Sequence, residues 1–265
     1  MANCFPPVTA SIVVVRPDQP GYPGRLRTLG WRHTLYSRGA LPPTGPSIAI
    51  VGARAASGSA MRHAEALATG LARRGCHVVS GGALGIDGAA HRGAPVSTVV
   101  LGCGVDIAYP ARHARLFDAV LASGGGLVSM LPVGTEPRAH TFVARNPLIA
   151  ALADAVIVIE ADLRSGSLST AAAATSFGRI VCAWPGSPGC DRLIARGAAI
   201  VESLADLDAA LAGTPRRPQV STDPLVIQVR AAIAAGARSV DAVVHATGLP
   251  VCTVVRALAL MEKTP

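Results

Sequence analysis

The chain has 265 residues, enough for one sizeable core with a small appendage; half of them are apolar and only 3% aromatic, with 28 Gly and 20 Pro. Its formal charge is +8, and of its 24 basic residues all but Lys263 are arginine. That excludes a Walker phosphate loop and Schiff-base or pyridoxal chemistry, because each needs a lysine ε-amine inside a site and Lys263 lies at the far C-terminal end.

Six cysteines (Cys4, Cys76, Cys103, Cys182, Cys190, Cys252) are scattered without a C-x-x-C pair or zinc spacing, and read as reduced, mostly buried thiols. Neither a signal peptide nor a membrane span is legible, so the cytosol is the expected compartment. The arginine bias fits a GC-rich coding sequence; the net charge also suits a phosphate polymer, whose oxygens match the guanidinium fork.

Residues 1–46 are rich in Pro and Gly and read as an irregular leader with one strand at 11–15. From residue 47 a cycle sets in of short apolar run, Gly-rich turn and Ala-rich helical stretch, the signature of βαβ units on a parallel sheet. Strands are expected at 47–52, 77–82, 97–104, 126–131, 153–161 and 179–186. Helices are expected at 58–74, 86–93, 112–123, 147–153, 167–177 and 203–212. The core domain therefore covers 47–212. Residues 213–224 (GTPRRPQVSTDP) read as a linker, and 225–265 as a small helix-turn-helix-like domain.

In an open α/β sheet the ligand binds outside the carboxyl ends of the strands. At the first such turn, Gly52-Ala53-Arg54-Ala55, an arginine stands beside bare backbone, either to meet a phosphate or simply as an exposed turn residue. The second turn carries Gly81, Gly82, Gly85 and Gly88, with Asp87 placed to cap the following helix. The run Phe142 to Asn146 offers an aromatic face beside Arg145 and Asn146. It reads equally as a base-stacking and phosphate unit or as core filler with a helix cap. Ser165, Gly166 and Ser167 open an Ala-rich helix as an anion site or a plain N-cap. Asp106 and Tyr109 read as structural. With no G-x-S-x-G elbow and no H-E-x-x-H, no catalytic residue, metal or cofactor is expected.

Taken in order, VGARAASGSA, VVSGGALGIDGAAHRGA, VVLGCGVDIAYP, FVARN, ADAVIVIEADLRSGSLSTA and the run at 189–194 resemble the DprA/Smf DNA-processing family over about 47–201, and residues 20–41 resemble its lead-in. The resemblance implies an extended Rossmann-like, open and mostly parallel sheet with helices on both faces. It also implies a non-catalytic, dimeric binder of single-stranded DNA that loads the RecA recombinase during natural transformation. Carried over by position, Arg54 would contact DNA phosphate, Gly52, Gly81 and Gly82 would let the backbone approach, Arg145 and Asn146 would be the first two residues of the family's Arg-Asn-Arg motif, and Ser165 to Ser167 would form the pocket's other wall, with Phe142, read from the residues themselves, as the stacking aromatic. The sequence departs from the family at Ala53, Leu84, Met130, Val143 and Pro147, the last standing where a second arginine is usual. It also reads as lacking the family's N-terminal helical domain. Either Arg138, Arg164 and Arg179 compensate for the lost cation in the pocket, or the chain is a divergent paralogue whose binding has faded, the first reading being preferred because Arg54, Arg145 and the glycines persist. The alternative is a nucleotide phosphoribohydrolase of the lysine-decarboxylase-like kind, for which Glu160 is the nearest substitute for the required carboxylate. A transcription regulator built on 225–262 is a weaker third reading.

Overall fold

The computed structural model describes residues 10–216 and 223–262, which fall into two compact units dividing after Arg216. Cys4, Lys263 and residues 217–222 of the expected linker lie outside the described residues.

In the first unit the elements follow as β1 (Ile12–Val15), α1 (Gly24–Thr28), β2 (Leu35–Gly39), β3 (Ser47–Gly52), α2 (Gly58–Arg73), β4 (His77–Gly81), α3 (Ile86–Gly93) and β5 (Ser97–Val100). They continue as α4 (Ala114–Ala122), β6 (Gly126–Ser129), α5 (Ala139–Ala151), β7 (Ala155–Ile159), α6 (Ser167–Ser176), β8 (Ile180–Ala183), α7 (Pro188–Ala195), β9 (Ala199–Ile200) and α8 (Leu204–Leu211). The nine strands form one sheet in the order β1-β2-β6-β5-β4-β3-β7-β8-β9, parallel from β6 to β9 and antiparallel at β1-β2 and β2-β6.

The apolar runs feed both faces, as a doubly wound sheet demands. Ala49 and Val51 of β3 point into one core with Leu148 of α5, Leu152 just past its end and Ala171 of α6. Ile48 and Ile50 point into the opposite core with Ala64, Leu67 and Leu71 of α2. Small side chains do much of this filling: Ala64, Ala68, Ala89 and Ala90 are fully buried, which lets the helices sit close to the sheet.

Two expectations are corrected. The leader is more regular than expected: besides the strand at 11–15, seen as β1, it holds α1 and a second strand, β2, which extend the fold at the sheet's edge, and Tyr22, Leu26 and Leu35 enter the core. Arg25 of α1 pairs with Asp154, whose other oxygen accepts the Ser47 N–H at 2.9 Å, tying the leader to the start of β3. The helix expected to begin at Pro147 begins instead at Ala139. Thr141 Oγ accepts the Arg138 N–H at 3.2 Å and donates to the Gly102 carbonyl at 2.5 Å, which starts the helix early. Pro147, favoured at a helix start, lies well inside and only removes one rung of the ladder.

The second unit holds α9 (Pro224–Ala234), α10 (Val240–Thr247) and α11 (Val251–Glu262) around Val226, Val229, Val243 and Val254. Gly248, at φ +69°, ends α10 in the left-handed conformation. Among the described residues no single helix is long and apolar enough to cross a membrane.

Candidate functional site

β3 neighbours β4 on one side and β7 on the other, so the crossovers diverge here and leave a crevice at the strands' carboxyl ends. A cleft of about 370 Å3 occupies it. One wall is the Gly52–Ala55 turn, the other is the segment from Asp162 to Ser167, and the first turns of α5 form the base with Phe142, Val143, Arg145 and Asn146. A smaller cavity of about 90 Å3 adjoins it between Gly82, Leu84, Tyr109 and Phe142. Eight of the ten residues singled out from the sequence line the larger cleft: Gly52, Arg54, Phe142, Arg145, Asn146, Ser165, Gly166 and Ser167. Gly82 lines the smaller cavity. Gly81 lines neither.

The two arginines share the cleft but do different things. Arg54 is exposed, with its guanidinium carbon 5.5 Å from the centroid of the half-buried Phe142 ring. Phe142 in turn lies 5.2 Å from the ring of Tyr109. Arg145 is 5% exposed; it donates to the Val100 carbonyl, and Nη2 sits 3.9 Å from Asp87 Oδ2. Burial pushes the Asp87 carboxyl up and the Arg145 guanidinium down from their ordinary ranges, and each charge opposes the shift of the other. Arg145 therefore lines the cleft as a buried cation of its floor, in contrast to the open guanidinium head that Arg54 presents. Asp87 is corrected, because Gly85 occupies the cap position of α3 and Asp87 instead accepts the Ala83 N–H at 3.3 Å.

The glycines are small chiefly because protein atoms crowd them. A Cβ at Gly81 would fall 2.3 Å from both Arg145 Nη atoms and 2.4 Å from Asp87 Oδ2. At Gly52 it would meet the Ile159 carbonyl at 1.9 Å, and at Gly82 the Phe117 ring at 2.8 Å. Two histidines hold this turn from behind. His91 Nε2 donates to the Gly81 carbonyl at 2.8 Å and His113 Nδ1 to the Gly82 carbonyl at 3.0 Å. Burial lowers His91 to about 4, so it stays neutral.

Asn146 is a positioning residue. Its Nδ2 donates to the Gly166 carbonyl at 3.1 Å and to Ser169 Oγ at 2.7 Å, pinning the opposite wall to α5. Ser165 and Ser167 hydroxyls meet at 2.7 Å. Glu160 does the same for the first wall: its carboxylate accepts the Ser57 N–H at 2.8 Å and the Ser57 hydroxyl, while its carbonyl accepts the Ala53 N–H at 2.8 Å. It sits at φ +52°, outside the cleft lining, so the carboxylate the enzymatic alternative needs is already engaged. Cys103, pushed up to about 11 by burial and then by Asp106, is a thiol and not a nucleophile.

Tyr109, which the sequence reading takes as structural, stands 44% exposed beside Phe142, and Asp162 lies on the rim without having been singled out for the site. The scarcity of aromatics was the signal available for Tyr109. Of the three compensating arginines proposed, only Arg164 reaches the cleft. Leu84 and Val143 present exposed apolar side chains at the rims.

Residues 13–212 match the family described as DNA recombination-mediator protein A. The protein Smf of Escherichia coli is 41% identical over 214 residues, covering 76% of this chain and 55% of that protein. Among solved structures, DNA processing protein A of Streptococcus pneumoniae superimposes with TM-score 0.68 at 35% identity, covering 75% of this chain and 74% of that one. The corresponding Helicobacter pylori structure, described for its single-stranded DNA binding mode, gives 0.67 at 27% identity, covering 76% and 100%. The chain spans 60% of the length of two Mycobacterium tuberculosis relatives at 41% identity.

Proposed function

The chain belongs to the DNA recombination-mediator protein A family, and from that premise we propose that its cleft binds single-stranded DNA without altering it covalently. The observation that carries this reading is the Arg54–Phe142 pair on the cleft rim, a cation 5.5 Å from an aromatic face. A nucleotide has one flat apolar part and one anionic part at about that separation, and stacking one base on an aromatic contributes roughly 1–3 kcal/mol. Arg54 and Arg164 are the exposed cations that meet the phosphates. Asn146 and Glu160 hold the two walls at the right opening. The cleft lies at the switch point of the sheet, where ligands of such folds bind. In the wider function, a homodimer in the cytosol hands the bound strand to the RecA recombinase during natural transformation.

Filter binding of oligo-dT across a salt series tests the reading. With about three to five phosphates held, log affinity falls against log salt with a slope of about −2 to −3.5. Arg54→Ala weakens binding to any sequence alike, because phosphate contacts carry no base information, and makes the slope shallower by about 0.7. A response flat in salt overturns the reading.

A further inference from the structure

Beside the cleft, α6, β8 and α7 enclose a groove of about 550 Å3. Its apolar floor includes Leu168, Ala171, Val181 and Leu193, and its polar lining is Thr175 with three arginines, Arg179, Arg192 and Arg196. No carboxylate among the described residues lines it. Among the described residues none of the three arginines has a carboxylate at ion-pair distance. Arg179 Nε is a buried donor with no acceptor. Three like charges around one groove repel one another, and a buried N–H without a partner is itself destabilising. Both costs are relieved by an anion with several oxygens spread along the groove.

The groove also begins beside the cleft. Leu168, at its upper end, follows Ser167 of the cleft wall, and Arg192 Nη2 donates at 3.0 Å to the carbonyl of Leu163, which sits between the cleft residues Asp162 and Arg164. From there α6 runs back along the sheet for ten residues, about 15 Å at 1.5 Å each. Arg179 stands beyond its far end, just before β8. A compact anion fits neither that length nor the spread of cations; a chain of phosphates does.

We propose that this groove is a second stretch of the nucleic-acid track, in which Arg192, Arg196 and Arg179 hold successive phosphates of the strand after it leaves the cleft over Ser167. The proposal rests on the cleft reading above, and the test separates the two. The full chain and its R179Q/R192Q/R196Q variant are titrated with oligo-dT of about 6 and about 30 nucleotides, lengths that fill the cleft alone or overrun it. For the long oligonucleotide the variant loses about 2 from the magnitude of the salt slope. At 0.15 M salt its affinity falls about fiftyfold, which is three phosphates at 0.7 each carried through the same relation. For the short one it binds as the parent does. The R179K/R192K/R196K variant keeps charge without the fork and retains the slope. Parental affinity and slope for the long oligonucleotide overturn the groove and leave the cleft intact. Loss of the short oligonucleotide as well also overturns it, since the arginines would then be supporting the cleft's structure. If the parent binds neither length, the cleft reading itself fails and the groove with it.

Discussion

Replacing Arg145 with alanine tests whether this cation belongs to the floor and not to the ligand. The guanidinium is 5% exposed, donates to the Val100 carbonyl and lies 3.9 Å from the buried Asp87 carboxylate. Its loss strands one carbonyl and one buried charge. Breaking a buried pair on one side costs about 3–5 kcal/mol, and Asp87 can limit that cost by taking up a proton. About 3 kcal/mol is the expected loss, or 6–12 °C in Tm for a unit of this size, read by circular dichroism at pH 7.5. Adding Asp87→Asn removes the stranded charge, and the double variant recovers about half of the loss. The pH dependence has a definite sign. Without Arg145 to oppose it, burial raises the Asp87 carboxyl further above its unfolded value, so the folded variant takes up its proton at a higher pH than the parent does. The gap between parent and variant therefore narrows as pH falls from 8 to 5. A Tm within about 1 °C of the parent, or a gap that does not change with pH, refutes the assignment and returns Arg145 to the solvent-facing role.

Phe142→Leu keeps apolar bulk but removes the ring beneath Arg54, so binding of single-stranded DNA weakens by roughly 1–3 kcal/mol; fluorescence anisotropy reads this, and an unchanged Kd removes Phe142 from the site. Gly81→Ala places a methyl 2.3–2.4 Å from the Arg145 and Asp87 heads, so it lowers stability by about 1–3 kcal/mol and weakens binding together with it; a variant with parental Tm shows that the pair can shift freely. His91 and His77, both lowered to about 4 by burial, stay neutral in the fold, whereas the unfolded chain protonates them near 6.5. Stability present above pH 6.5 is thus lost as pH falls to 4, by up to about 3 kcal/mol from the fully buried His91, and thermal melts that hold constant over that range contradict it.

The parallel sheet was legible because its strands carry their own signal. Ile48 to Val51 are buried on both faces, so they read as an apolar run ending in a glycine turn. β2 carries no such signal: LYSRG has two buried side chains, Leu35 and Ser37, and its pairing with β6 joins residues about 90 apart, a register set by the fold and not by any local pattern. The turns of the site were found for a similar reason. Gly52, Gly81 and Gly82 stand out as residues, and the fold rule says where such turns gather. Their partners do not stand out. That Gly81 yields space to Arg145, or that Gly52 yields it to the Ile159 carbonyl, depends on α5 and β7 arriving from 64 and 107 residues away. Pro147 misled for a physical reason as well: it is favoured at a helix start, yet a helix anchored by Thr141 at its beginning tolerates one missing rung.

The burial of Arg145 shifts where the cleft's positive potential originates. Its charge is largely spent on Asp87, so the net field at the opening comes from the exposed Arg54 and Arg164, reduced by Asp162. Exposed charges are screened within about 8 Å at physiological salt, buried ones far less. A cleft relying on two buried arginines would grip a phosphate with little regard to salt and at a high desolvation cost. One relying on rim arginines above a neutralised floor binds and releases a strand readily, with steep salt dependence and contacts that carry no base identity. At position 147, where the family resemblance implies a second cation, an added charge would stand next to residues 145 and 146, already buried in the floor, while Arg164 is exposed on the opposite wall.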